Sequence, residues 1–137
     1  MAAFVLLSAI AHWAISSPGV YPWYLRNLEQ GRNYARWIEY SVSSSLMVVL
    51  IAMLPGITDG AALGGLCAVT ATMILFGLLM ELYEKPGRPH WLSYWFGVFA
   101  GAVPWILIAI YLWSPSTVGS PPEFVFGIFF SLFVFFN

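Results

Sequence analysis

The feature that most constrains this chain is a repeated alternation. Five apolar stretches, over residues 2–16, 32–54, 60–83, 91–113 and 123–137, are separated by breaks rich in proline, glycine or charge. A bilayer's hydrocarbon core is about 30 Å thick and takes roughly 20 helical residues to cross. Inside it every backbone N–H and C=O must be satisfied within the segment, which for single stretches of this length means helix. The pattern predicts an all-α, polytopic transmembrane helical bundle with five spans. The breaks carry the stop signals that such spans need: Ser16-Ser17-Pro18-Gly19, Pro55-Gly56, the polar turn from Glu84 to His90, and a loop with Pro115, Pro121 and Pro122. The first stretch lacks a basic leader, which argues against a cleaved signal peptide. The last ends on FFSLFVFFN while still apolar, with no capping glycine or polar stop, so the chain is expected to be a fragment of a longer bundle.

Composition closes off the alternatives. Only 8% of residues are charged, against about 25% in soluble domains, and a mean hydropathy of +0.83 suits a surface that meets lipid. Intrinsic disorder needs the opposite balance. With five basic residues and a net charge of -1, no basic stripe exists for a phosphate backbone, which excludes nucleic acid as a partner. The single cysteine, Cys67, permits no intrachain disulfide and reads as a small packed residue. Arg26, Arg32, Arg36, Lys85 and Arg88 all lie in or beside the first and third breaks. The positive-inside rule therefore makes the loops near 17–35 and 84–90 cytoplasmic in a multi-pass cell-membrane protein. Trp23, Tyr24, Tyr34, Trp91 and Trp113 sit near predicted helix ends, as interfacial aromatics do.

Ionisable groups within the spans are few, and each is costly in hydrocarbon. They are His12, Glu39 and Glu81. Glu39 shares a helix face with Arg36 and Ser43, which suits either a buried ion pair with Arg36 or a counterion or proton-relay role. Ser8 and His12, four apart, stack on one face of the first helix. Two histidines without a cysteine cluster do not make a zinc site, so no metal is expected. Thr70, Met73, Gly77 and Glu81 form one stripe, either a smooth wall for a flat apolar ligand or a seam for helix contact. Gly60 with Gly64, and Gly97 with Gly101, are small-xxx-small pairs suited to close helix approach. Pro104 is expected to kink the fourth span near Trp105. No nucleophile or metal constellation supports an enzyme.

The runs RWIEYSVSSSLMVVLIAMLPGITD, ATMILFGLLMELYEKP, YWFGVFAGAVPWI and FVFGIFFSLFVFFN, in that order, resemble the heliorhodopsins, microbial rhodopsins of inverted membrane orientation. The resemblance covers nearly the whole chain. It implies that the five stretches are the second to sixth helices of a seven-helix retinal protein, with the first and seventh helices missing. It further implies that Glu39 is the counterion of the protonated retinal Schiff base, with Tyr40 beside it, Ser8 near the Schiff base, and His12 in the polar group that holds the displaced proton. Met73, Gly77, Trp95, Phe133 and Phe136 match pocket-wall positions, and Arg36 and Glu81 match a cytoplasmic polar group. Thr70 stands where some members carry asparagine. The implied function is a retinal-binding light sensor that does not pump ions; the alternative is a light-driven or passive proton or ion transporter. A homodimer is also implied, with Gly60, Gly64, Gly97 and Gly101 the candidate contact surface. The resemblance names no signalling partner. Retinal needs a lysine on the seventh helix, and this chain has only Lys85.

Overall fold

The computed structural model describes residues 2–83, 90–114 and 123–136, the side chains of residues 2–4, 133, 135 and 136 excepted. All its described elements are helices: α1 (Ala2–Ser16), α2 (Tyr21–Glu29), α3 (Tyr34–Met53), α4 (Gly60–Tyr83), α5 (Leu92–Trp113) and α6 (Glu123–Phe136). The chain packs mainly in sequence order, α3 on α4 and α4 on α5, with α1 against α3.

Local chemistry places the helix ends. Asn33 caps α3, its side-chain oxygen accepting the Arg36 N–H at 3.1 Å, and Asp59 does the same for Ala62 at the start of α4, at 2.8 Å. The α3 helix stops where Pro55 cannot continue it, and Gly56 takes a φ of 98° that closes the turn, with its N–H on the Met53 carbonyl. Gly31, at φ 70°, ends α2 in the same manner: Gly31 and Arg32 donate to the carbonyls of Leu28 and Asn27.

Two helices, α4 and α5, are long and apolar enough to cross a membrane, with mean hydropathies of 2.1 and 1.9 over windows only 11% and 22% buried. The core helix of a soluble protein would be mostly buried, so these exposed apolar surfaces suit lipid. The α1 and α6 helices are shorter, and α3 is diluted by Arg36, Glu39 and a run of serines. Pro104 is buried inside an α5 helix that continues to Trp113. One expectation needs correction: residues 17–35 are not simply a loop, because they contain the nine-residue helix α2.

The apolar core lies at one end of the bundle. Ile51, Ala52, Ile57, Leu66, Ile108 and Leu112 are buried there with Val125 and Phe129 of α6. Edge-on ring contacts between Trp105 or Trp113 and Phe129, centroids 5.8 Å apart, fix α6 to α5. Midway along the bundle, the buried Ser45 hydroxyl crosses from α3 to the Cys67 carbonyl of α4 at 3.0 Å.

Candidate functional site

A cavity of about 670 Å³ lies between α3, α4 and α5, a size that accommodates a typical small ligand. Helical periodicity builds its walls: Ser44, Met47, Val48 and Ile51 from α3, Thr70, Met73, Gly77 and Met80 among those from α4, and Tyr94, Gly97, Gly101 and Trp105 among those from α5. The stripe of Thr70, Met73 and Gly77 thus faces this space. Thr70 is 1% exposed and its hydroxyl donates to the Leu66 carbonyl at 2.8 Å, so it adds little polarity to the wall. Glycines set the spacing at two points. A Cβ at Gly101 would stand 2.5 Å from Met73 Sδ, whereas one at Gly97 would make only ordinary contact, 3.4 Å from Phe76 Cβ. Gly101 therefore gives Met73 of α4 its room against α5, and both glycines face α4 of the same chain, which corrects their assignment to a dimer surface. Around Gly60 and Gly64, by contrast, no atom lies within 4 Å of an added Cβ.

Gly77 has a second task. The ring of Trp37 lies directly against it, where a Cβ would overlap the indole. From that position Trp37 Nε1 donates to Glu81 Oε2 at 2.6 Å, while Glu81 Oε1 accepts the backbone N–H of Asn33. One carboxylate thus ties the last turn of α4 to the first turn of α3, where unpaired helix N–H groups favour an anion. Arg36 does not pair with Glu81 or with Glu39; its guanidinium lies over the rings of Trp37 and Tyr40, 5.2 and 5.4 Å from their centroids. Sequence reasoning missed Trp37, whose signal was its place four residues after the capping Asn33 on the face of α3 that meets α4.

The remaining sequence-predicted residues are placed elsewhere. Glu39 is half-buried on α3, and its carboxylate has no hydrogen-bond or ion-pair partner among the described residues. Five residues separate it from Ser44, roughly 140° around the helix, so it does not line the cavity. Four residues on, Ser43 is 4% exposed. Ser8 belongs to the half-buried side of α1, whereas His12 is exposed, with its Nδ1 held on the Ser8 carbonyl at 2.8 Å. That bond uses the serine's backbone carbonyl, and among the described residues no hydrogen bond joins Glu39 to Ser8 or His12. Tyr40 is 44% exposed and Trp95 is 64% exposed. Trp95 falls outside the α5 face that runs through Ser93, Gly97 and Gly101, so it is not a wall of this cavity. The side chains of Phe133 and Phe136, and the whole of Lys85, lie outside the described residues. No group of three or more metal-ligating side chains converges among the described residues.

No curated protein matches the chain. The heliorhodopsin family model, by contrast, matches residues 1–137, and an all-helical fold with two membrane-length apolar helices among the described residues agrees with such a protein. This chain therefore belongs to the heliorhodopsin family.

Proposed function

We propose that the chain forms part of a retinal-binding, light-sensing membrane protein that is neither an ion pump nor an enzyme. The observation that carries this reading is the apolar cavity of about 670 Å³ walled by methionine, aromatic and glycine residues of three helices. Its walls fit the body of a long, flat, apolar chromophore. Retinal, when bound, supplies visible absorption and a light-driven change of shape. The residues of this chain do the rest: Met47, Met73 and Trp105 exclude water and grip the ligand, and Gly77 and Gly101 hold the helices close around it. Glu39 lies off the lining of this cavity and is assigned the negative charge because the family resemblance matches it to the counterion. With no arginine paired to it among the described residues, its carboxylate is available to oppose a cationic group of the chromophore. Covalent attachment requires a lysine from outside residues 1–137, because Lys85, the chain's single lysine, follows α4 in the polar sequence EKPGRPH. In keeping with a sensor, His12 is engaged by its own helix rather than in a relay with Glu39.

The test is spectroscopic. A seven-helix protein containing this chain, purified with retinal, should show a visible band well to the red of free retinal, and Glu39→Gln should move it further to the red, because the opposing charge is lost. Absence of the band would refute retinal binding, and an unmoved band would refute the role of Glu39. A light-driven current in cells expressing the protein would favour the transporter instead.

A further inference from the structure

The short helix α2 has no role in the cavity and no buried residue. Its sequence, YPWYLRNLE, is nevertheless strongly two-sided. At 100° per residue, Tyr21, Tyr24, Leu25 and Leu28 fall within roughly 100° of arc, with Glu29 at its edge and Arg26 and Gln30 on the other side, beside Trp23. Tyr21, Leu25 and Leu28 are 48%, 38% and 40% exposed, so the described protein leaves this apolar face uncovered.

Where α2 sits decides what covers it. Its last turn runs through Gly31 into Asn33, the cap of α3, and the Asn33 N–H is held by Glu81, two residues before the end of α4. The 24 residues of α4 rise about 36 Å, roughly one hydrocarbon thickness, so the Glu81 end of α4 stands at a membrane surface, and Asn33 with it. At its other end α2 follows the apolar helix α1 after one tight turn, Tyr21 N–H on the Ser17 carbonyl at 2.9 Å. Trp23 also packs on Tyr34 of α3, with ring centroids 6.1 Å apart. Both ends of α2 are thus anchored, one to the apolar helix α1 and the other to α3 and, through Glu81, to the end of the membrane-length helix α4. A helix held at that level, with tyrosines and leucines on one side and charge on the other, matches the headgroup–acyl boundary.

We propose that α2 is an interfacial helix whose Tyr21, Tyr24, Leu25 and Leu28 face is seated in the headgroup–acyl boundary of the bilayer that the protein spans, with Arg26 turned to water and Glu29 at the border. The inference rests on the membrane placement of α4 and is independent of retinal. The test is a nitroxide scan of the full 137-residue chain in phosphatidylcholine–phosphatidylglycerol nanodiscs. Tyr21, Tyr24, Leu25, Arg26, Leu28, Glu29 and Gln30 are replaced singly by cysteine in a Cys67→Ala background, labelled, and probed by collision with oxygen and with a water-soluble nickel chelate. The expected ratio of oxygen to nickel accessibility is severalfold higher at Tyr21, Tyr24, Leu25 and Leu28 than at Arg26 and Gln30, with Glu29, at the border, between them. Either of Arg26 and Gln30 against any two apolar positions suffices, so loss of one variant to misfolding leaves the comparison intact. Equal nickel access on both faces would place α2 in water and overturn the proposal. Exclusion of both reagents from Tyr21, Leu25 and Leu28 would also overturn it, by showing that protein, a second copy included, covers the face.

Discussion

Glycine in a helix interior normally costs stability relative to alanine, by about 1 kcal/mol. At Gly77 the sign should reverse. An added Cβ would stand 2.5 Å from Trp37 Cη2 and 3.3 Å from Cε3, and an indole is rigid, so the ring rather than one atom must move. Forcing a methyl into such a contact costs about 1–3 kcal/mol. If Trp37 swings away, its 2.6 Å hydrogen bond to Glu81 is lost as well, and hydrogen bonds to charged groups are worth about 1.5–3 kcal/mol. Setting the helix gain of about 1 kcal/mol against these losses leaves Gly77→Ala destabilised by roughly 1.5–5 kcal/mol. The assay is reversible unfolding of the detergent-solubilised chain, followed by circular dichroism, in a double-mutant cycle with Trp37→Leu. In the Trp37→Leu background the obstruction is gone, and Gly77→Ala should become neutral or stabilising by about 1 kcal/mol. Stabilisation by Gly77→Ala in both backgrounds would refute the argument, since it would mean that Trp37 does not rest on Gly77.

Three further outcomes are expected. Glu39→Gln should change the stability of the isolated chain by no more than about 0.5 kcal/mol, because no partner among the described residues is lost; a drop of about 3–5 kcal/mol would reveal a buried ion pair. Adding retinal to the 137-residue chain should leave only free-retinal absorption, with no borohydride-trapped adduct at Lys85, since an ammonium two residues past Tyr83 in a charged turn stays hydrated and unreactive; a red-shifted band abolished by Lys85→Ala would contradict this. Gly101→Leu should lower the melting temperature by overpacking Met73, whereas Gly64→Leu should leave the fold intact and, if the open glycine face of α4 carries a homodimer, convert dimer to monomer on sizing. The opposite pattern would mean that the two glycine pairs have been assigned to the wrong partners.

Sequence by itself determined the elements that depend on short-range chemistry. Pro55-Gly56 ends α3 and Ser16 to Gly19 ends α1 because the signals are backbone restrictions, which act locally. The stripe of Thr70, Met73 and Gly77 was legible for the same reason, since one helix places its own residues on one face. The apolar surface of α4 and α5 was legible from composition alone. The α2 helix was not: nine residues with Pro22 inside and glycines at both borders carry the marks of a turn, and its helix depends on attachment to its neighbours. Nor could sequence tell which faces meet. In a soluble helix the apolar stripe points inward, but α4 and α5 are apolar all round, because lipid accepts the same side chains as the core does, so periodicity loses its direction. Trp95, which the resemblance matches to a pocket wall, lies off this cavity, where Tyr94 and Gly97 stand instead, and the spacing of Gly97 and Gly101 does not tell a second copy from Phe76 and Met73 of the same chain. The Trp37–Glu81–Asn33 tie went unseen for the same reason. Its partners lie 44 and 48 positions apart, and only the packing of α3 on α4, with Gly77 vacating space for an indole, brings that carboxylate to the end of another helix.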